Sequence, residues 1–289
     1  MFYTIEELVQ QADRDYQGNI AELMIATETE LTGRERPEIL SLMTRNLEVM
    51  KDSVQAGLSL EKSPTGLTGG DAAKLDTYIK RGKTLADSAV LGAARNAMAV
   101  NESNAKMGLV CATPTAGSAG CLPAVLTTAI EKLSLSESQQ LDFLFTAGAF
   151  GLVIANNASI SGAEGGCQAE VGSASAMAAA AITMAAGGTP FQASQAICFV
   201  LKNMLGLICD PVAGLVEVPC VKRNAMGASF ALVAADMALA GITSAIPVDQ
   251  VVDAMYQVGS AMPTAFRETA EGGLAATPKG KALAKEIFG

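Results

Sequence analysis

Apolar residues along the chain recur mostly with a helical period. Ile39, Leu42, Met43, Leu47, Met50 and Val54 follow one another at three- and four-residue steps with charges between them, which is the pattern of one buried stripe on an amphipathic helix. This spacing predicts a helix over about 37–55. Thr4 with Glu7, and Thr189 followed by Pro190 and Gln192, have the capping-box spacing and mark two helix starts. Proline costs nothing at the second, because the N–H it lacks has no partner in a first helical turn. Further helices are predicted over 72–80, 85–100, 122–132, 137–155, 170–186, 191–204, 225–240 and 248–258. Alternating, strand-like runs are scarce, so the predicted class is all-α.

Three stretches are apolar enough to compare with the roughly 20 residues of a membrane-spanning helix. Residues 143–155 are too few, 176–188 are too few and rich in Ala and Gly, and 225–246 carry Asp236 near their middle, where a charge is costly in lipid. All three read as core helices, and no membrane partner is expected. Between the helices lie glycine-rich turns at 63–70, 113–120, 161–166 and 272–273, where the backbone can approach a bound group closely. No repeat or linker interrupts the chain, which reads as one domain over 1–289.

Composition narrows the chemistry. Of the 289 residues none is histidine, which removes Ser-His-Asp and Cys-His catalysis, His-ligated zinc and any imidazole acid or base from this chain. Trp is absent and aromatic residues make up 4%, so packing must rely on small side chains. A net charge of -9 without a Lys/Arg cluster argues against nucleic acid as a partner. The first eleven residues include Glu6 and Glu7 and have no basic segment followed by an apolar run, so a cytoplasmic location is expected. Six cysteines in a reducing compartment read as buried thiols, metal ligands or redox groups, not as a disulfide framework.

Cys167 closes Ser161-Gly-Ala-Glu-Gly-Gly-Cys167, Cys209 lies in Gly206-Leu-Ile-Cys-Asp-Pro-Val-Ala-Gly214, and Cys220 lies in Glu217-Val-Pro-Cys-Val-Lys-Arg-Asn224. Each is at a turn or helix end, where a thiolate can reach outward from a fixed backbone. Their spacing matches neither a ferredoxin run nor a zinc finger and by itself favours small buried cysteines. The same reading applies to Cys111, Cys121 and Cys198. The turn from Thr113 to Gly120 is open to two readings, an anion cradle at a helix N-terminus or a tight structural turn. Glu164, Lys222 and Arg223 are notable only for their nearness to the cysteines in sequence, since lone charged groups are usually solvated or paired.

The segments Ala112-Thr-Pro-Thr-Ala-Gly-Ser-Ala-Gly120, Ser161 to Met177 and Cys209 to Asn224 closely resemble the α part of bacterial iron-sulfur L-serine dehydratases. Ser63 to Gly70 and Arg267 to Gly273 are similar too, so the resemblance runs through nearly the whole chain in order. It implies a 4Fe-4S cluster on Cys167, Cys209 and Cys220, with one iron left open as a Lewis acid that helps convert L-serine to pyruvate and ammonia without pyridoxal phosphate. Beside these ligands, Thr113, Thr115, Ser118, Ala119, Gly120, Ser161, Gly165, Gly166 and Asn224 become the expected substrate contacts, and Glu164 and Lys222 become candidate catalytic groups by their position. Because the motifs start close to Met1, the chain resembles the α chain of the two-chain form. A β chain is then the expected partner, and any histidine in the reaction would come from it. Competing readings are a related cluster enzyme acting on L-cysteine or another hydroxy acid, and a non-enzymatic scaffold.

Overall fold

The computed structural model describes residues 2–289 as thirteen α-helices, with no strand among the described residues. Helix α1 (Ile5–Tyr16) begins where Thr4 Oγ1 accepts the Glu7 N–H. The Glu7 carboxylate bonds to the Tyr3 N–H at 2.7 Å instead of that of Thr4, so only the Thr4 half of the expected capping box forms. A short turn leads to α2 (Ile20–Thr32), capped by Asn19. The sequence pattern does not announce α2, because Ile20, Ala21, Leu23 and Ile25 bury most of its circumference between α1, α3 (Arg36–Gly57) and α7 (Glu137–Asn157) instead of forming one stripe. Helix α3 is the one predicted from Ile39 to Val54, and of its stripe Ile39, Leu47, Met50 and Val54 are buried.

Helices α4 (Asp71–Lys80) and α5 (Ser88–Ala105) follow. The latter starts three residues later than predicted because Asp87 caps it while Leu85 stands in solvent. Beyond the turn at 113–120 come α6 (Cys121–Leu133) and α7, the latter opened by a complete capping box between Ser136 and Gln139. A single turn, α8 (Gly162–Gly165), precedes a π-helical turn, Gln168–Gly172, that runs into α9 (Ser173–Ala185). Helix α10 (Pro190–Met204) has the predicted Thr189–Gln192 capping box, with proline in its first turn. Helix α11 (Cys220–Leu239) starts at the cysteine itself, five residues earlier than the apolar pattern indicates. Helices α12 (Val248–Ala261) and α13 (Pro278–Phe288) complete the chain, and the sequence reading did not foresee α13.

Helix α9 is the axis of the packing. Every residue from Ser173 to Thr183 is buried, and the helix is surrounded by α6, α7, α10 and α11. Alanine on all sides lets those neighbours come close, which supplies by proximity the dispersion contacts that larger side chains would give. A Cβ added at Gly227 of α11 would stand 2.4 Å from Ser175 Oγ and 2.9 Å from Cys121 Sγ, so α6, α9 and α11 meet there without space for a methyl group. Among the described residues no helix is long and apolar enough to cross a membrane. The Asp236 side of α11 faces solvent.

Candidate metal and substrate site

The glycine-rich segments separated in sequence converge around the π-helical turn. Gln168, buried, donates from Nε2 to Met255 O at 2.8 Å and accepts the Gly206 N–H at 2.9 Å, while its own N–H bonds to Leu207 O. These bonds hold the segment bearing Cys209 beside Cys167. Cys209 is fixed from the other side by an isolated parallel bridge to Arg267. In it the Cys209 N–H bonds to Phe266 O and the Glu268 N–H to Cys209 O, both at 2.8 Å. Asp210 next to it accepts the Leu274 N–H at 2.7 Å and lies 2.9 Å from Arg223 Nη1. Gly273 is required there, since a Cβ would fall 2.3 Å from Asp210 Oδ2.

Cys167, Cys209 and Cys220 are all buried. The sulfurs of Cys167 and Cys209 and a carboxylate oxygen of Glu170 lie within 4.8 Å of one another, and the Cys220 sulfur lies outside that group. Cys220 opens α11, one helical turn before Asn224. The segment before it is anchored by buried Glu217, which accepts from Ser63 Oγ at 2.6 Å and Thr65 Oγ1 at 2.7 Å. A hydrogen bond from the Cys209 thiol, opposed by burial and aided by Arg223, holds the Cys167 thiol below its usual range; the same bond and burial push Cys209 up. Burial raises Cys220 as well. Two buried sulfurs and a carboxylate oxygen close together beside a guanidinium form a preformed place for a cation.

Glu170 was not singled out in the sequence. It follows Cys167 by three residues, which puts both on one face of a helical turn, and that spacing was the available signal. Burial raises its carboxyl group above the usual range, partly offset by the Thr115 hydroxyl. Thr115 Oγ1 donates to Glu170 Oε1 at 2.8 Å, and Cys209 Sγ lies 3.7 Å from Oε2. The surrounding wall is glycine: a Cβ at Gly162 would stand 2.5 Å from Glu170 Oε2 and 3.0 Å from Cys209 Sγ, and one at Gly117 would stand 3.2 Å from Glu170 Oε1. Two thiols and a carboxylate in a cradle that a methyl group would fill make a donor set fit for a metal group.

The turn at 113–120 brings Thr113, Thr115 and Ser118 together against Glu170. Ser118 Oγ is 3.1 Å from Thr115 Oγ1 and 3.3 Å from Thr113 O, and the Thr113 hydroxyl is buried without a partner. The N–H groups of Ala116, Gly117 and Ser118 find no acceptor within the described chain. Asn224, fully buried, holds the turn in place. Its Oδ1 accepts the Gly120 N–H at 3.1 Å and its Nδ2 donates to Gly117 O at 2.8 Å. Ala119 and Gly120 are buried in the same support, where a Cβ at Gly120 would meet Asn101 Oδ1 at 2.3 Å.

Other predicted residues stand further out. Ser161 caps α8 through the Ala163 N–H, and Gly165 and Gly166 pack on Ala169 and Met262. Glu164 is exposed, accepts from Ser159 Oγ at 2.6 Å, and lines a surface pocket with Tyr256, Ser260 and Arg267 that includes none of the cysteines. Lys222 is exposed and paired with Asp71, which also receives Lys74 at 2.9 Å. The nearer cation is Arg223. Burial lowers its pKa, but Cys167 and Asp210 outweigh burial and hold it up. Of the remaining cysteines, Cys121 and Cys198 are buried and Cys111 is half-buried; burial pushes Cys121 up to about 12.

The chain is similar to known proteins over nearly its whole length. The family profile described as serine dehydratase alpha chain matches residues 15–275. A probable L-serine dehydratase alpha chain from Bacillus subtilis is 61% identical over all of this chain and 96% of its own length. The L-serine dehydratase alpha chain of Peptoniphilus asaccharolyticus is 40% identical over 93% of this chain and 92% of its own. An L-serine dehydratase of Escherichia coli is 36% identical over 95% of this chain but only 61% of its own length.

Proposed function

This chain belongs to the serine dehydratase alpha chain family, and from that premise we propose that it is the catalytic chain of an iron-sulfur L-serine dehydratase acting without pyridoxal phosphate. The observation that carries the reading is the meeting of Cys167, Cys209 and Glu170 within 4.8 Å, in a glycine-walled cradle that the turn bearing Thr115 closes. Cys167, Cys209 and Cys220 would hold a 4Fe-4S cluster, thiolate being the usual ligand of such clusters. When bound, the cluster supplies an iron with no thiolate of its own, a Lewis acid for the β-hydroxyl of L-serine.

The chain's own groups account for the rest. The substrate carboxylate is received by the Thr115 and Ser118 hydroxyls and the free N–H groups of Ala116, Gly117 and Ser118, with Gly120 and Asn224 keeping the turn rigid. The positive end of α6 adds to this attraction. The Glu170 carboxylate takes the α-proton. Burial raises its pKa above the usual carboxylate range, which favours proton uptake. Arg223 offsets negative charge from thiolates and substrate. Loss of the α-proton and the β-hydroxyl gives water and aminoacrylate, which tautomerises and is hydrolysed to pyruvate and ammonia. Glu164, hydrogen-bonded to Ser159 on the outer side of α8, is not needed for the proton transfer.

A β chain completes the enzyme in this reading. The relatives that match end to end are alpha chains, and the Escherichia coli relative extends well beyond the matched region. A cytoplasmic setting suits a cluster on three reduced thiols. The test is pyruvate formation by the anaerobically purified protein with its β chain, offered L-serine, L-threonine and L-cysteine in parallel. Pyruvate from L-serine above all is expected; release of sulfide from L-cysteine as the faster reaction would assign the site to a desulfidase.

A further inference from the structure

Four acidic side chains are buried within the described helices and the turns that join them, and three are already satisfied. Glu102 accepts the Gly70 and Asp71 N–H groups at 3.0 and 2.9 Å. Asp210 is paired with Arg223 and bonded to the Leu274 N–H. Glu217 accepts two hydroxyls. Glu170, only 7% exposed, has no cationic side chain within ion-pair distance; its partners are the Thr115 hydroxyl and the Cys209 thiol. A buried carboxylate oxygen needs a partner, and a cation is the one this carboxylate lacks. Once Cys209 is a metal-bound thiolate it has no proton to give, so Glu170 Oε2 loses that partner and faces the space between Cys167 and Cys209.

From this geometry we infer that Glu170 is the exchangeable fourth protein ligand of the cluster, coordinating through Oε2 the iron that the three cysteines leave free until substrate displaces it. The inference rests on the iron-sulfur reading and extends it. Gly162 and Gly117 are the positions that give the carboxylate room, and Thr115 orients it by binding the other oxygen. Displacement then delivers a free carboxylate beside the substrate at the moment a proton acceptor is required. The resting enzyme thereby protects its labile iron, and the ligand and the base are one residue.

The experiment compares anaerobically reconstituted holoenzyme and Glu170→Gln, each labelled with 57Fe, by Mössbauer spectroscopy and by the rate at which ferricyanide converts the cluster to its three-iron form. The variant is expected to lose its labile iron at least about tenfold faster and to show one iron subsite altered before any substrate is added. A second measurement needs no substitution: the wild type is also prepared with 13C at the glutamate carboxyl carbon. A 13C hyperfine coupling to the reduced cluster, abolished by L-serine, supports the inference without any substitution. A full cluster in both proteins with identical spectra and loss rates, or no coupling in the wild type, overturns it while leaving the cluster reading intact. Absence of iron from both proteins overturns the inference and the cluster reading together.

Discussion

Thr115 Oγ1 lies 2.8 Å from Glu170 Oε1, so the turn before α6 and the π-helical turn before α9 meet through one hydroxyl and one buried carboxylate, 55 residues apart in sequence. Asn224 fixes the first turn and Gln168 fixes the second.

Thr115→Val removes the hydroxyl while keeping the shape of the side chain. A hydrogen bond to a carboxylate contributes about 1.5–3 kcal/mol, so kcat/KM for L-serine should fall roughly 10- to 100-fold. Far-UV circular dichroism should be unchanged, because no helix depends on this hydroxyl. Steady-state kinetics beside a thermal melt checks both parts.

Gly57→Ala and Gly148→Ala should move stability in opposite directions. A Cβ at Gly57 would stand 1.8 Å from the Ala99 carbonyl oxygen, where α3 crosses α5, whereas nothing lies within 4 Å of a Cβ at Gly148 in α7. The first change overpacks a backbone contact and should cost about 1–3 kcal/mol; the second should stabilise by up to about 1 kcal/mol through helix propensity. Denaturant unfolding of the two variants measures the contrast.

The pairing of α4 with α5 should weaken in acid. A hydrogen bond from Lys80 lowers the Asp76 pKa below its ordinary 3.8, with burial opposing and Arg95 assisting at 2.8 Å. A carboxylate with a depressed folded-state pKa contributes stability above its unfolded value and loses it as pH falls through the folded one. Asp76→Asn should therefore cost about 1 kcal/mol at pH 7, after allowing for solvent screening, and progressively less below pH 4. Unfolding free energies of wild type and variant across that range should converge toward acid.

Most of the helical architecture was legible from periodicity, because a one-sided stripe such as Ile39, Leu47, Met50 and Val54 leaves a clear trace. Helix α2 was not legible, since it is covered on several sides, and α13 has only Gly280 buried among its residues. The thiols that meet were found through the resemblance, since their spacing alone favours ordinary buried cysteines. Glu170 was taken as the first residue of a helix. Its importance depends on Thr115 and Gly162, which the fold brings against it and no local pattern announces. Glu164, which sits beside the two glycines, attracted attention by its neighbours in sequence; in space its partner is Ser159.

The central claim is that Cys167, Cys209 and Cys220, and not the other three cysteines, hold a cluster that serine dehydration requires. The most direct measurement is iron and acid-labile sulfide per chain, with pyruvate formation from L-serine, in six single cysteine-to-serine variants purified without oxygen beside the β chain. Wild type and the Cys111, Cys121 and Cys198 variants should each carry about four irons and four sulfides and form pyruvate, while substitution of Cys167, Cys209 or Cys220 should remove both. Full activity in an iron-free protein, or a cluster that survives loss of any of those three thiols, would contradict the account.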